Sequence, residues 1–256
     1  GADTLRGGYG SDHLVGGQGN DLLDGGDDNE EGWGDYAGYH NSASGVVVDL
    51  AAGITSNDGF GTQDTLVNIE NVEGSDFADD LTGDSNRNWF RTFAGNDTVD
   101  GGGSDDLIFY GHLSENSSGI TVNLQEKDAQ GYSTISYDYD ATNATTDDAY
   151  VDSVKSIENL HGSQAGDSIT LGDGHSYVFG EGGNDLLTGG SGDNNFLGGM
   201  GSDTIDGGTG RDRVSYDDIG PDNGAFQTQG IIADLGTGQV VDNFGDTDTI
   251  TNIQYI

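Results

Sequence analysis

Residues 162–215 divide without remainder into six nonamers: GSQAGDSIT, LGDGHSYVF, GEGGNDLLT, GGSGDNNFL, GGMGSDTID and GGTGRDRVS. The eighth position is apolar in every one (Ile169, Val178, Leu187, Phe196, Ile205, Val214), and the sixth is Asp in four of the six. The same frame governs 74–109 in four nonamers, and 7–24 in two, preceded by the tail of another over Gly1–Arg6. Across all 13 frames the eighth position never loses its apolar residue: Leu5, Leu14, Leu23, Leu81, Phe90, Val99 and Ile108 complete the set. The sixth is Asp in ten frames, Asn at Asn88 and Asn194, and Ser at Ser176. Thirteen matches in one phase are an internal repeat, and a period of this kind sets the fold.

The nonamer has a physical reading. Glycines at fixed offsets let the backbone take positive φ and turn tightly. Three residues around one apolar side chain make a short strand that points that side chain inward. One nonamer cannot bury its apolar residue alone. Two form a flattened coil of strand, turn, strand and turn, and stacked coils build a narrow continuous core. The expected fold is therefore all-β, a parallel β-roll of the solenoid type. Stacking also lays sixth-position carboxylates side by side, which is repulsive unless a hard divalent cation lies among them. Calcium takes six to eight oxygens from carboxylates and carbonyls, whereas zinc or copper favours His or Cys, which these turns lack.

Runs such as Gly16–Asp24 and Gly198–Asp206 resemble the RTX (haemolysin-type) calcium-binding repeat, a nonapeptide signature of parallel β-helices. The resemblance covers about 114 of the 256 residues. It implies a right-handed β-roll with calcium between stacked turns. It also implies export from a Gram-negative cell by type I secretion, which uses no N-terminal signal.

If one coil is two nonamers, each turn shares its ion with the turn eighteen residues away. The expected pairs are 3/21, 79/97, 88/106, 167/185, 176/194, 185/203 and 194/212. The candidate ligands are thus Asp3, Asp12, Asp21, Asp79, Asn88, Asp97, Asp106, Asp167, Asp185, Asn194, Asp203 and Asp212, for about six or seven calcium ions. The four Asp/Asp pairs (3/21, 79/97, 167/185, 185/203) are expected to fill first, and Ser176/Asn194 to be weak or empty. Asp12 has no evident partner, because the frame is lost after Gly25 and Gly26.

The stretches between blocks repeat as well. Gly45–Leu50 returns as Gly119–Leu124 and Gly230–Leu235. A second motif follows each, at 64–72, 152–160 and 248–256, with apolar residues at every third position (Leu66/Ile69/Val72, Val154/Ile157/Leu160, Ile250/Ile253/Ile256). That period suits neither strand nor helix, and a bend between two short strands is expected. The chain is therefore divided into a first nonapeptide block (1–24), a first insertion (25–73), a second block (74–109), a longer insertion (110–161), a third block (162–215) and a third, truncated insertion (216–256). The insertions are expected to continue the roll as wider, metal-poor coils.

Composition narrows the function. The chain has 46 acidic against 7 basic side chains, a net charge of −39, 47 Gly and no Cys. Leu, Ile, Val and Phe make up only about 21% of residues, near the composition of disordered chains, and self-repulsion opposes compaction. Neither nucleic acid nor anionic lipid suits such a surface. No apolar run approaches a membrane span, the longest aliphatic stretch being Val46-Val47-Val48. Disulfides are excluded. Acidic residues outside the frame (Glu30-Glu31, Asp147-Asp148, Asp217-Asp218) are expected to be solvated. The five histidines (His13, His40, His112, His161, His175) share no spacing and are expected at the surface. The Trp33/Tyr36/Tyr39 cluster and the Tyr132/Tyr137/Tyr139/Tyr150 insertion are expected to pack locally rather than to stack on sugars. No Gly-x-Ser-x-Gly elbow or cation cluster for a polyuronate substrate is present, so no catalytic activity is expected. Two functions remain. One is a calcium-folded structural or adhesive segment of a secreted or cell-surface protein, whose insertions could contact a glycan or surface partner. The other is the calcium-dependent folding and secretion domain of an exported toxin or hydrolase.

Overall fold

A computed structural model describes residues 1–27, 34–139, 149–216 and 230–256. Trp33, Glu30-Glu31, Asp147-Asp148 and Asp217-Asp218 lie outside the described residues. The chain forms two compact units, Gly1–Phe109 with Val151–Ile157, and Tyr110–Tyr150 with Glu158–Ile256. Among the described residues the secondary structure is strand throughout, and no helix is long and apolar enough to cross a membrane.

Each unit is a parallel β-roll whose alternate nonamers feed two sheets. In the first unit, one sheet runs in the order Thr4–Tyr9, Leu22–Asp27, Asp64–Val67, Ile54–Asn57, Val47–Asp49, Asp80–Thr82, Thr98–Asp100, Ala149–Lys155. Its second sheet runs His13–Leu14, Tyr36–Gly38, Asn71–Glu73, Trp89–Arg91, Leu107–Phe109. Register is set by the eighth-position side chains, since a slip of one residue would turn them outward. Leu5 pairs with Leu23, Leu81 with Val99 and Phe90 with Ile108, all eighteen residues apart. In the second unit Ile169, Leu187 and Ile205 align along one sheet, and Leu160, Val178, Phe196 and Val214 along the other. From Leu81 to Ile108 and from Ile169 to Val214 these residues are buried. The core of each unit is a file of single side chains stacked strand on strand.

The insertions depart from the expected wider coils. Val47–Asp49, Ile54–Asn57 and Asp64–Val67 form an antiparallel meander spliced into the parallel sheet. Thr121–Asn123 with Ser133–Asp138, and Ile232–Asp234 with Gln239–Val241 and Thr247–Thr251, repeat the device. Tight turns allow antiparallel neighbours to follow one another directly, so these strands add width to one sheet without completing a coil.

The motif with apolar residues at every third position is a shortened coil. Leu66 pairs with Leu23 in one sheet and Val72 with Phe90 in the other. Only six residues separate Leu66 from Val72, against nine between consecutive frames. Asn68, Ser156 and Asn252 close the bend with φ of 49°, 52° and 53°, a left-handed conformation that Asn tolerates better than most residues. Ile69 and Ile157 are buried at the bend. Two apolar rungs and a buried corner therefore produce the period of three. Of the tyrosines of the long insertion, Tyr137 packs as expected, buried 5.3 Å from Tyr110 and 5.6 Å from Tyr150, while Tyr139 is exposed.

This architecture separates neighbouring leucines sharply. Leu187→Ala, in the core between Ile169 and Ile205, is expected to cost about 2–5 kcal/mol, and Leu186→Ala, half-exposed on the outer face, at most about 0.5 kcal/mol. Urea unfolding of the calcium-saturated chain measures both.

Candidate metal centre

At Asp21, Asp97, Asp185 and Asp203 the sixth residue performs two tasks. Its backbone N–H donates to the sixth-position side chain one coil onward, and its own side chain receives the N–H from the coil before. Asp3 donates to Oδ1 of Asp21 at 2.7 Å and Asp79 to Asp97 at 2.8 Å. Asn88 donates to Asp106 at 2.8 Å, Asp167 to Asp185 at 2.8 Å, Asp185 to Asp203 at 2.9 Å and Asn194 to Asp212 at 2.9 Å. Except for exposed Asp3 and half-buried Asp12, the candidate residues are all buried.

The ladder extends beyond the nonamers. Asp12 does have a partner, contrary to the expectation from sequence: its N–H donates to Oδ1 of Asp35 at 2.7 Å, and that of Asp35 to Oε2 of Glu70 at 2.9 Å. Asp21 donates to Asp64, Asp97 to Asp152 and Asp203 to Asp248. Asp212 donates to the amide oxygen of Gln254. Asp64, Asp152 and Asp248 open the three shortened coils, each two residues before a rung (Leu66, Val154, Ile250). That Asp-x-apolar step is the signal in the sequence; without glycine at the second and fourth positions of a frame, it does not resemble the nonamer.

The second carboxylate oxygen divides the ladder into ends and interior. At the ends a hydroxyl or N–H satisfies it. Ser75 and Ser163 donate Oγ–H and N–H to Asp79 and Asp167 at 2.7 Å. Tyr39 donates to Oδ2 of Asp64 at 3.2 Å, Tyr216 to Asp248 at 2.9 Å and Thr92 to Asp152 at 3.3 Å. In the interior, Oδ2 of Asp21, Asp97, Asp185 and Asp203 is buried with no hydrogen-bond partner, as are Oδ2 of Asp12 and Asp212. A buried carboxylate oxygen without a partner is costly. An oxygen-seeking cation removes that cost, so the donor set fits calcium.

The glycines have distinct roles. In several frames positions two and four carry positive φ, as at Gly199 (97°) and Gly201 (122°). Position one does not; there, a Cβ would strike the carboxylate itself, 2.1 Å from Oδ2 of Asp185 at Gly180 and 2.2 Å from Asp203 at Gly198. Two frames depart from this: Leu171 is buried at position one of the frame whose sixth residue is the short Ser176, which pairs in register with Asn194, whereas Thr92 stands before the full carboxylate Asp97 and turns its hydroxyl to Asp152 at 3.3 Å.

Burial is the main cause of raised carboxyl pKa values along the second unit's ladder. It pushes Asp185 up to about 9, with the charges of Asp167 and Asp203 adding to it. Asp203 rises to about 7, while Asp167 and Asp248, whose hydroxyl and N–H donors oppose burial, rise to about 6. In the first unit, burial and then Asp152 raise Asp97.

The fold and its turns define a parallel β-roll whose turns stack carboxylates with a donor set that fits calcium. The RTX calcium-binding nonapeptide repeat matches the chain in four copies, at residues 1–29, 73–108, 161–196 and 179–214. These blocks are RTX calcium-binding repeats. Among solved structures, the extracellular lipase LipA of Serratia marcescens aligns at 14% identity and TM-score 0.17, over 72% of this chain. The chain spans 38% of the lipase's length, and so slight a likeness does not place the lipase's activity here. A comparison with curated proteins gives no match.

The raised pKa values carry a pH dependence for the metal-free roll. Its carboxyls hold protons that the unfolded chain releases near 3.8. The folded state therefore binds more protons between 3.8 and the raised values, and its stability falls with rising pH across that window. In chelator, the β-type circular dichroism is expected to be strongest near pH 4 and to fade as pH rises through about 6 to 9. A signal that strengthens toward alkaline pH would contradict this assignment of buried protons.

Proposed function

We propose that this chain is a calcium-gated structural segment of a secreted or cell-surface protein. In this reading the nonapeptide turns hold the ions and the spliced insertions present contact surfaces. The carrying observation is the set of buried, unpartnered Oδ2 atoms in the ladder interior. The proposed ligands are the paired sixth-position residues 3/21, 12/35, 79/97, 88/106, 167/185, 185/203 and 194/212, about one ion for each of these seven pairs. Asp185/Asp203 has an unsatisfied oxygen on both sides and is the strongest of them. Asp79 and Asp167 already have serine donors, so 79/97 and 167/185 follow it. Ser176/Asn194 brings no carboxylate.

Bound calcium supplies positive charge where the roll concentrates carboxylates. The side chains supply the rest: Oδ1 fixes the neighbouring turn through its N–H, and Oδ2 is left facing the ion. With calcium tenfold above Kd, each site present only in the folded state contributes ~1.4 kcal/mol. Several such sites match the whole stability of an ordinary domain, ~5–15 kcal/mol. In low calcium the chain stays unfolded and passable through a type I exporter; outside, calcium folds it.

Far-UV circular dichroism of the chelated chain tests this reading. It should turn from disordered to β-rich steeply with Ca²⁺ and not with Mg²⁺, which demands near-octahedral geometry and dehydrates reluctantly. A chain fully folded in chelator at neutral pH would overturn the gate. Asp185→Asn removes a charge from two adjacent pairs and should lower stability in calcium by about 3 kcal/mol. Ser176→Ala should change it by no more than about 0.5 kcal/mol. Equal effects in the two variants would remove Asp185 from the ligand set.

A further inference from the structure

The histidines, expected as unrelated surface residues, are not all so. On the outer face of the first unit, His13, His40 and Glu73 bring one ligand atom each within 4.8 Å of one another, the one such group among the described residues that could hold a metal ion. His13 Nε2 lies 2.9 Å from Glu73 Oε2, and His40 Nδ1 lies 4.0 Å from the same oxygen. The two imidazoles stack at 5.8 Å.

The fold builds this juxtaposition deliberately across three strands. His13–Leu14, Tyr36–Gly38 and Asn71–Glu73 are successive neighbours, with Gly38 in register with Glu73. Two strand spacings separate His13 from Glu73, about 10 Å of backbone. The His13 ring spans that gap by lying over Gly38, where a Cβ would come within 2.3 Å of Nε2. A glycine with ordinary φ is thus required by the ring above it. Arg91 fixes the other carboxylate oxygen, Oε1, at 2.8 Å, and is itself held 4.6 Å over the Phe109 ring. Oε2 is left to the histidines. Asn41 bonds His40 Nε2 at 2.9 Å; with its amide turned over, it accepts from Nε2–H and leaves the Nδ1 lone pair to a metal, the outer-partner arrangement common to metal-bound imidazoles.

We propose that His13, His40 and Glu73 form a transition-metal site, of zinc type, chemically separate from the calcium turns. Two imidazoles and one carboxylate suit zinc and not calcium. Ligand atoms around a tetrahedral zinc lie about 3.3 Å apart at bond lengths of ~2.0–2.1 Å, so no separation within the group has to change by more than about 1.5 Å. Three protein ligands leave a fourth position for water or a small donor. It adjoins a cavity of about 330 Å³ lined by His13, Tyr36, Glu73, Trp89, Arg91 and Phe109.

The test titrates the calcium-saturated chain with Zn²⁺ by calorimetry, and with Co²⁺ to read coordination from its visible spectrum. Saturating calcium keeps the acidic turns from the added ion. Wild type should bind one equivalent, with intense tetrahedral-type Co²⁺ bands. His13→Ala and His40→Ala should each weaken that event by more than the ~10–100-fold that loss of an outer partner costs. Gly38→Ala keeps every ligand and blocks only the ring's path, so it should abolish the site too. Calcium-dependent circular dichroism confirms that each variant folds; should Gly38→Ala not fold, the two histidine variants decide. Zn²⁺ uptake equal in wild type and both histidine variants would show carboxylate scavenging and overturn the proposal. So would loss in one histidine variant alone.

Discussion

The structure depends on how buried carboxylates are neutralised. A roll of nonamers has room for one apolar side chain per strand, so its core is a thin file. Its turns, by contrast, concentrate sixth-position carboxylates in the interior, each with one oxygen taken up by a neighbouring turn. Like charges at such spacing in a poorly solvated site destabilise the fold strongly. Three features follow from this. Position-one glycines exist because the carboxylate occupies the space of a Cβ, as at Gly180 and Gly198. Leu171 is tolerated where Ser176 replaces the acid. The acid at Asp185, flanked by Asp167 and Asp203, is raised further than Asp167, Asp203 or Asp248.

The same constraint explains how the ladder stops. A cation between turns needs a turn on each side, and a terminal carboxylate has only one. Ser75, Ser163, Tyr39, Tyr216 and Thr92 stand at these termini and donate to Asp79, Asp167, Asp64, Asp248 and Asp152. These donors come from different places in the sequence, two from within the turn and three from distant segments. Their common role is visible only in three dimensions. The rung beyond Asp79 and Asp167 is begun by Val46 and Ile120, whose N–H groups still donate to those carboxylates while their side chains bring no charge.

Much of this was legible in the sequence, because a nonamer is a local pattern: period, inward rung and acidic turn all lie within nine residues. The eighteen-residue register followed from the geometry of a two-strand coil. What escaped had other causes. Asp64, Asp152 and Asp248 extend the ladder without glycine at the second and fourth positions of a frame, in shortened coils that close with Asn68, Ser156 or Asn252 in the left-handed region. The antiparallel meanders were missed because Gly45–Leu50 and its two counterparts show a strand without showing its partner's direction. His13, His40 and Glu73 are 27 and 33 residues apart in the chain, and only the glycine at position 38 joins them.

Ends that need no metal and an interior that does impose an order on assembly. In a linear array, stability is a sum of unit terms and neighbour terms, so structure spreads from whichever unit is satisfied first. The hydroxyl-capped rungs at Asp79, Asp167, Asp64, Asp152 and Asp248 meet their polar requirements within the chain. Each interior carboxylate then faces a turn already fixed on one side, and the ion that neutralises it sets the N–H of the next. In the proposed calcium-bound state, filling would be coupled along the ladder through the Oδ1 bonds. The coupling weakens where the charge is missing, at Ser176 and Asn194, so that strand pair is held by its apolar rungs, Val178 and Phe196, rather than by metal.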